Sequence, residues 1–184
     1  MMPEYLVEDA VRKIDPSLEF VGPYMGSHRE AVVTRKGESG LFAIKYARSE
    51  NRVKRQAILR EMRALESAGK IEGINPLEQS YQEINGYHAI LRKIMPGATT
   101  VEDGRTVLDQ SQIRTLERTI IELHNRKVVN HGIVAGNVLP SPTGEVRIAN
   151  SSTWMGPGYY GKDTFEGKIR SDLRALIGLG LGRR

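Results

Sequence analysis

Residues 42–65, FAIKYARSENRVKRQAILREMRAL, are the most informative about the fold, because a strand-like run passes directly into a long amphipathic helix. The strand is predicted over Leu41–Ala47, and the helix is predicted to begin at a Ser49 cap and to run to Ala68, with Gly69 as its stop signal. Apolar residues recur at helical spacing, at Val53, Ala57, Ile58, Met62 and Leu65. At about 100° per residue, Glu61 lies inside this apolar stripe. Its carboxylate needs a partner, because an unpaired buried charge is costly.

The elements on both sides of this stretch complete an α+β pattern. They are a helix over Pro3–Ile14, strands over Leu18–Tyr24, Glu30–Arg35, Leu77–Gln82 and Gly86–Ile94, a helix capped by Asp109 through Lys127, short strands at Val138–Leu139 and Val146–Ala149, and a helix over Glu166–Leu179. In order, they predict one helix, five strands around one main helix, and then a mainly helical half. A seam near Met95–Thr100 divides the chain into predicted domains 1–97 and 98–184.

The composition is that of an ordinary globular protein, and it excludes several chemistries. The 184 residues include no cysteine, which excludes disulfides, thiolate zinc sites, iron–sulfur clusters and a cysteine nucleophile. No apolar run reaches the roughly 18 residues that a membrane span needs. The N-terminal residues also lack the apolar centre of a signal peptide. We therefore predict a cytoplasmic protein with no membrane partner.

The net charge of +5 is concentrated in two stretches. The first contains Arg48, Arg52, Lys54, Arg55, Arg60 and Arg63, and the second contains Lys168, Arg170, Arg174, Arg183 and Arg184. Such clusters are one signature of a nucleic-acid-binding surface. Aromatic residues for base stacking are not interleaved with either cluster, so a solvated helix face is the favoured interpretation. Nucleic-acid binding stays open as an alternative.

Several short motifs, in this order, resemble the protein-kinase-like fold from about Leu18 to Leu179. Residues 42–45, FAIK, resemble the strand motif V-A-I-K, whose lysine holds nucleotide phosphates, and Glu61 resembles the glutamate that pairs with that lysine. The segments similar to the hinge, to the catalytic loop and to the strand before D-F-G are residues 89–97, 123–139 and 146–152. The resemblance implies two lobes, with a five-stranded small lobe that has one main helix and a truncated helical large lobe.

The chain departs from this resemblance at the positions that carry the chemistry. Gly132 stands five residues before Asn137, where H-R-D-L-x-x-x-N places the catalytic aspartate. Asn150, followed by two serines, replaces the aspartate of D-F-G. An asparagine offers Mg²⁺ a neutral oxygen without the negative charge that a hard dication prefers. Ordinary kinase chemistry is therefore not expected.

By the resemblance, a nucleotide would be held by the lysine–glutamate pair, the phosphate-covering loop and two asparagines: Lys45, Glu61, Gly22, Gly26, Ser27, Asn137 and Asn150. The loop keeps only two glycines, and Tyr24 occupies the middle position. The same two asparagines are the metal candidates, and ATP, with or without Mg²⁺, is the implied cofactor. The sequence leaves open whether the adenine pocket is filled, and Arg92 and Lys93 near the hinge are the residues in a position to fill it. Asp172 resembles the aspartate that braces the catalytic loop.

The sequence favours a pseudokinase that binds nucleotide weakly or serves as an interaction module for a protein partner. The alternative is a divergent ATP-dependent phosphotransferase, similar to small RIO-type or bacterial kinase-like proteins. In that case His131 or Asp163 would replace the missing aspartate, although a structural role is favoured for His131. The Gly/Pro-rich segment that holds Trp154, Tyr159 and Tyr160 is predicted to be an ordered surface loop. A plain packed loop is the favoured interpretation, and a partner-binding patch is the alternative.

Overall fold

A computed structural model of the chain describes residues 4–24, 30–95, 108–129, 133–149, 153–157 and 159–180, without the side chains of residues 135, 162, 163, 179 and 180. The elements are α1 (Glu4–Ile14), β1 (Leu18–Pro23), β2 (Glu30–Arg35), β3 (Phe42–Arg48), α2 (Arg52–Ala68), β4 (Leu77–Ile84), β5 (Tyr87–Lys93), α3 (Gln110–Asn125), β6 (Val138–Pro140), β7 (Val146–Ile148) and α4 (Lys162–Gly180). A short 3₁₀ turn, Ala135–Asn137, precedes β6. The chain is thus a mixed α/β protein that contains each predicted element.

The chain divides into two compact units. The first unit comprises Met1–Met62 and Leu77–Pro96, and the second comprises Arg63–Pro76 and Gly97–Arg184. The boundary therefore passes through α2, and the segment between α2 and β4 groups with the second unit.

The first unit is built on a five-stranded antiparallel sheet with the order β1-β2-β3-β5-β4. Side chains alternate between the two faces of a strand. On one face, apolar residues of the sheet pack with α1 in a buried cluster formed by Ala10, Val11, Ile14, Leu18, Ala31, Val33, Phe42, Ile44, Tyr81, Tyr87, Ala89 and Leu91. The opposite face of β3 and β5 carries Lys45 and Arg92, to which Glu61 of α2 is bound. The alternation therefore separates an apolar face from a face with charged residues.

Helix α2 begins three residues after the predicted Ser49 cap. The side-chain oxygen of Asn51 accepts a hydrogen bond from the backbone N–H of Lys54 at 3.1 Å, so Asn51 is the capping residue. Val53, predicted on the apolar face, is 81% exposed, because it lies in the first turn, ahead of the first buried residue of the helix. The helix ends at Ala68, where Gly69 adopts the positive φ that the stop signal predicts.

Asp15 fastens the end of α1 to the sheet. Its carboxylate accepts hydrogen bonds from the backbone N–H and the hydroxyl of Ser17, at 2.9 and 2.6 Å, and from the hydroxyl of Tyr81 at 2.6 Å. Burial alone raises the pKa of Asp15, but the hydrogen bonds outweigh it and hold this pKa below its ordinary value of 3.8. The folded state therefore favours the ionised carboxylate.

We expect Asp15→Asn to lower the free energy of unfolding near neutral pH, by an amount that shrinks as the pH falls. Folding lowers this pKa, so the contribution of the carboxylate is complete above its ordinary pKa and is lost as the pH falls through the folded-state value. Urea unfolding of wild type and variant at about pH 7 and about pH 2.5 measures both differences. Asp9→Asn, which removes an exposed ion pair with Lys13, is the control and should change little. An Asp15→Asn difference that persists at the lower pH contradicts the prediction.

In the second unit, α3 begins at a complete capping box. The Asp109 carboxylate accepts from the backbone N–H groups of Ser111 and Gln112, at 2.7 and 2.9 Å, and the Gln112 side chain accepts from the N–H of Asp109 at 3.0 Å. The predicted cap is therefore confirmed. The helix ends at Asn125, two residues before the predicted end, and its apolar face is buried at Leu116, Ile120 and Leu123.

Strands β6 and β7 form a two-stranded antiparallel sheet that is extended by the segment before β4. Ile74 forms a parallel bridge with Ile148, and the N–H of Ile148 donates to the carbonyl of Gly73 at 2.8 Å. Val129 and Met155 exchange two backbone hydrogen bonds, which tie the segment around Trp154 to the end of α3. This second unit therefore joins segments that are distant in sequence.

The segment around Trp154 is packed within the second unit. Trp154 is 1% exposed, and the Val129–Met155 bridge fixes its segment, which agrees with the favoured packed loop and not with an exposed patch at this residue. In α4, Leu173 and Ile177 are 39% and 58% exposed, whereas Asp172 and Leu176, one turn apart, are buried. No helix in the described ranges combines the length and apolar character that crossing a membrane requires.

Candidate functional site

Glu61, the inward-facing carboxylate of α2, has a cationic partner, as expected for a buried charge. The Lys45 ammonium donates to the Glu61 carboxylate with an Nζ–Oε2 distance of 2.8 Å. Glu61 is 1% exposed and the Lys45 side chain is 14% exposed, so the carboxylate end of this ion pair is withdrawn from water. A charge-assisted hydrogen bond in such surroundings is strong, and a buried charge left without it is costly.

Two further residues close this pair into a ring of four charges, here called the charged ring: Lys45, Glu61, Arg92 and Glu30. Glu30 binds Lys45 at 3.2 Å through Oε1 and Arg92 at 3.1 Å through Oε2. Arg92 reaches the other oxygen of Glu61 at 4.0 Å. The ring contains two cations and two anions, so it is neutral as a whole.

The sheet register explains why these residues meet. Glu30 lies directly opposite Lys45 in the pairing of β2 with β3, so their side chains share a face. Lys45 lies opposite Ile90 in the pairing of β3 with β5, and Arg92 is two residues further along, on that same face. Arg92, one of the two residues near the hinge that the sequence offers as fillers of an adenine pocket, binds the two glutamates.

Tyr24 lies near the charged ring. Burial raises the pKa of the Tyr24 hydroxyl, and the nearby charges of Arg92 and Glu30 act on this pKa in opposite directions. Its backbone N–H donates to the carbonyl of Glu30 at 3.0 Å, which fixes the chain at both ends of the loop between β1 and β2.

The segment that resembles a phosphate-covering loop is described only in part. Gly22 is in β1, and a side chain added there would meet no atom within 4 Å, so the described surroundings do not require glycine. Gly26 and Ser27, the other two candidates from this loop, lie outside the described residues.

In the second unit, Asn137 is held next to the end of β7. Its carbonyl accepts the backbone N–H of Ala149 at 2.8 Å, and its own N–H donates to Val134 at 2.8 Å. Asn150, the second metal candidate, is the next residue after Ala149 but lies outside the described residues, as do His131 and Gly132. Among the described residues, no group of three or more His, Cys, Asp or Glu side chains could hold a metal ion.

Asp172 of α4 binds His124, with an Nε2–Oδ2 distance of 3.0 Å. Asp172 is 2% exposed, so it brings a charge into the interior of the second unit at the end of α3. The ring of Phe165 stands edge-on to His124, and Tyr160 stacks on Phe165. The resemblance pointed to Asp172 as a brace for the catalytic-loop region. Its described partner, His124, lies at the start of the segment 123–139 that is similar to this region.

Several basic residues of the first cluster have structural partners. Arg48 pairs with Glu50 at 3.4 Å, Arg55 donates to the carbonyl of Ser49 at 3.1 Å, and Arg63 donates to the hydroxyl of Tyr159 at 3.2 Å. A nucleic-acid-binding surface needs cations that can reach phosphates. These contacts therefore favour the structural interpretation of this cluster.

Comparison with solved structures assigns the fold. The chain is similar to the structure of the kinase PK-1 from Cydia pomonella granulovirus, with a TM-score of 0.66 and 14% identity over 95% of this chain and 70% of that one. No protein-family model matches the sequence, and the search of curated proteins found no match. The likeness shows a kinase-like fold, and the chain is thus a kinase-like protein in its architecture.

Proposed function

We propose that the protein is a pseudokinase: a kinase-like protein that does not carry out ordinary phosphotransfer and binds the phosphates of a nucleotide weakly at Lys45. The observation that carries the proposal is that Lys45 has two carboxylate partners. Its ammonium group binds Glu61, the partner that the resemblance to kinase-like folds implies, and it also binds Glu30 at 3.2 Å. A nucleotide phosphate must compete with this second carboxylate, so the affinity is low.

The distribution of carboxylates supports the absence of phosphotransfer. Between Glu122 and Asp163 the sequence contains one carboxylate, Glu145. It lies beside the turn between β6 and β7 and pairs with Arg147 at 3.3 Å on the surface. Phosphoryl transfer depends on positioned charge around the transferred group. Neutral donors such as Asn137 do not fit Mg²⁺ as a tightly held ion, so we assign no step to this metal.

We expect ATP at millimolar concentration to raise the melting temperature slightly, with no dependence on Mg²⁺. A ligand at its dissociation constant adds only about 0.4 kcal/mol, whereas about 100 times that concentration adds about 2.7 kcal/mol. Lys45→Met should abolish the shift because it removes the cation that meets the phosphates. Lys36→Met, which replaces an exposed lysine outside the charged ring, is the matched control and should keep the shift.

A phosphotransfer assay with radiolabelled ATP, run on the same three proteins, tests the second half of the proposal. The expected result is no transfer by any of them. Mg²⁺-dependent transfer that disappears in Lys45→Met would overturn the pseudokinase proposal. A complete lack of thermal shift would instead leave a non-catalytic scaffold for a protein partner as the function of this fold.

The second candidate is a divergent ATP-dependent phosphotransferase. The hydrogen bond between the backbone groups of Ala149 and Asn137 favours this candidate. It holds Asn137, one metal candidate, against Ala149, the residue that precedes the other metal candidate, Asn150, in sequence. In this case His131 or Asp163 takes the role of the missing aspartate. Loss of measurable transfer in His131→Ala or Asp163→Ala would support it, and unchanged transfer in both would remove it.

A further inference from the structure

Glu30 is a second carboxylate on Lys45, in addition to Glu61, and the pairing of Lys45 with Glu61 gives no reason for its presence. Its two oxygens bind different cations, Oε1 to Lys45 at 3.2 Å and Oε2 to Arg92 at 3.1 Å. A phosphate group between a lysine and an arginine makes the same kind of contact, with separate oxygens on each cation. Glu30 thus stands where an anionic ligand of these two cations would stand.

The two carboxylates of the ring differ in how firmly they are held. The Glu61 side chain is 1% exposed and is bound by the Lys45 ammonium at 2.8 Å, so it has almost no access to water. The Glu30 side chain is 13% exposed and belongs to the first residue of β2. Glu30 is therefore the carboxylate that can turn out to water while the Lys45–Glu61 pair stays formed.

We infer that Lys45 and Arg92 form a binding site for a phosphate group and that Glu30 is its internal occupant, which a phosphate-bearing ligand must displace. This inference rests on the proposed function, because it uses the same Lys45, and it adds Arg92 as a second cation and Glu30 as a competitor. A site that is open for only a fraction of the time binds its ligand with an affinity reduced by that fraction. Competition from Glu30 accounts for the weak nucleotide binding that we propose, although the Lys45–Glu61 pair is intact.

The test is calorimetric titration of wild type and Glu30→Gln with inorganic triphosphate, with ATP and with adenosine. Glutamine keeps the size of the side chain and removes the competing charge. We expect Glu30→Gln to bind triphosphate and ATP at least about tenfold more tightly than wild type, which is about 1.4 kcal/mol. Adenosine binding should not change. An unchanged triphosphate affinity overturns the inference, as does a gain with ATP alone, because phosphate would then not be the recognised group.

Two variants show whether the gain comes from this site. Glu38→Gln removes a carboxylate from the same unit, where it pairs with Arg35 at 3.1 Å in an exposed position, so it should bind triphosphate as wild type does. Glu30→Gln combined with Arg92→Met should lose the gain, because the second cation is gone. An equal gain in Glu38→Gln would mean that net charge alone attracts the anion, and the inference would be wrong.

A measurement on wild type covers the case in which Glu30→Gln does not fold. With glutamate labelled with carbon-13 at its side-chain carboxyl carbon, triphosphate should shift the NMR resonance of Glu30 more than that of Glu61. An unshifted Glu30 resonance contradicts displacement.

The proposed function and this inference fail in different ways. Triphosphate binding that depends on Lys45 but ignores Glu30 overturns only the inference, whereas phosphotransfer by wild type overturns only the claim that catalysis is absent.

Discussion

Replacing Lys45 with alanine is expected to lower the free energy of unfolding by about 3 kcal/mol. The ammonium group binds both carboxylates of the charged ring, at 2.8 and 3.2 Å, and Glu61 is 1% exposed. The variant leaves two glutamates against one arginine within the charged ring, so the ring gains a net negative charge in a largely buried position. Arg92, at 4.0 Å from Glu61, offsets part of this loss, which places the effect at the lower end of the range for broken buried pairs. Urea unfolding followed by circular dichroism measures the difference.

A double variant separates the charge imbalance from the loss of packing. Lys45→Met with Glu61→Leu removes one charge of each sign and leaves the Glu30–Arg92 pair neutral. Well-packed apolar residues often replace a buried ion pair with little loss, so this variant should be more stable than Lys45→Ala. Lys36→Ala, at an exposed lysine 3.9 Å from Glu19, should stay within about 0.5 kcal/mol of wild type. If Lys45→Ala unfolds like Lys36→Ala, the charged ring does not stabilise the fold.

The Lys45–Glu61 pair could be found from the sequence for a physical reason. Helical periodicity alone placed a carboxylate inside an apolar stripe, and only a buried cation could make this position tolerable. The resemblance of the preceding strand to a kinase motif then named Lys45 as that cation. The remaining half of the charged ring could not be found in this way. Glu30 and Arg92 meet Lys45 through the register of three strands, which depends on how the connecting turns place each strand and not on any local pattern.

In the second unit, too, the sequence predicts features that depend on local signals and misses those that depend on contacts between distant segments. The cap of α3 at Asp109 is a local signal and was predicted correctly. What fixes the burial of Trp154 could not be found from the sequence, because it depends on a bridge between Val129 and Met155, which are 26 residues apart in sequence and joined by two backbone hydrogen bonds. In α4 the charged residue Asp172 occupies an inward position that hydrophobic patterning assigns to apolar side chains, so only the resemblance pointed to it.

Gly73 gives the second large expected effect, since nothing in its local sequence marks it as indispensable. Its φ is +88°, a conformation that side chains rarely adopt, and a Cβ atom there would lie 2.1 Å from Oγ1 of Thr119. Thr119 is 2% exposed and cannot move aside easily, because its hydroxyl is hydrogen-bonded to the carbonyls of Glu72 and Thr115, both at 2.7 Å. We expect Gly73→Ala to lower the free energy of unfolding by about 3 kcal/mol, the sum of a left-handed backbone penalty and overpacking.

Gly144→Ala isolates the steric part of this effect. Gly144 is in the same unit and has φ of +87°, but a Cβ atom there would meet nothing within 4 Å, so only the backbone penalty of about 1–2 kcal/mol remains. Thr119→Ala should make room for the methyl group that Gly73→Ala introduces, so the double variant should lose less stability than the two single changes added together. The carbonyl of Gly73 accepts the N–H of Ile148, two residues before Asn150, so the clash also disturbs the strand that leads to this candidate site. Equal losses in Gly73→Ala and Gly144→Ala would show that Thr119 yields and that the contact does not constrain this strand.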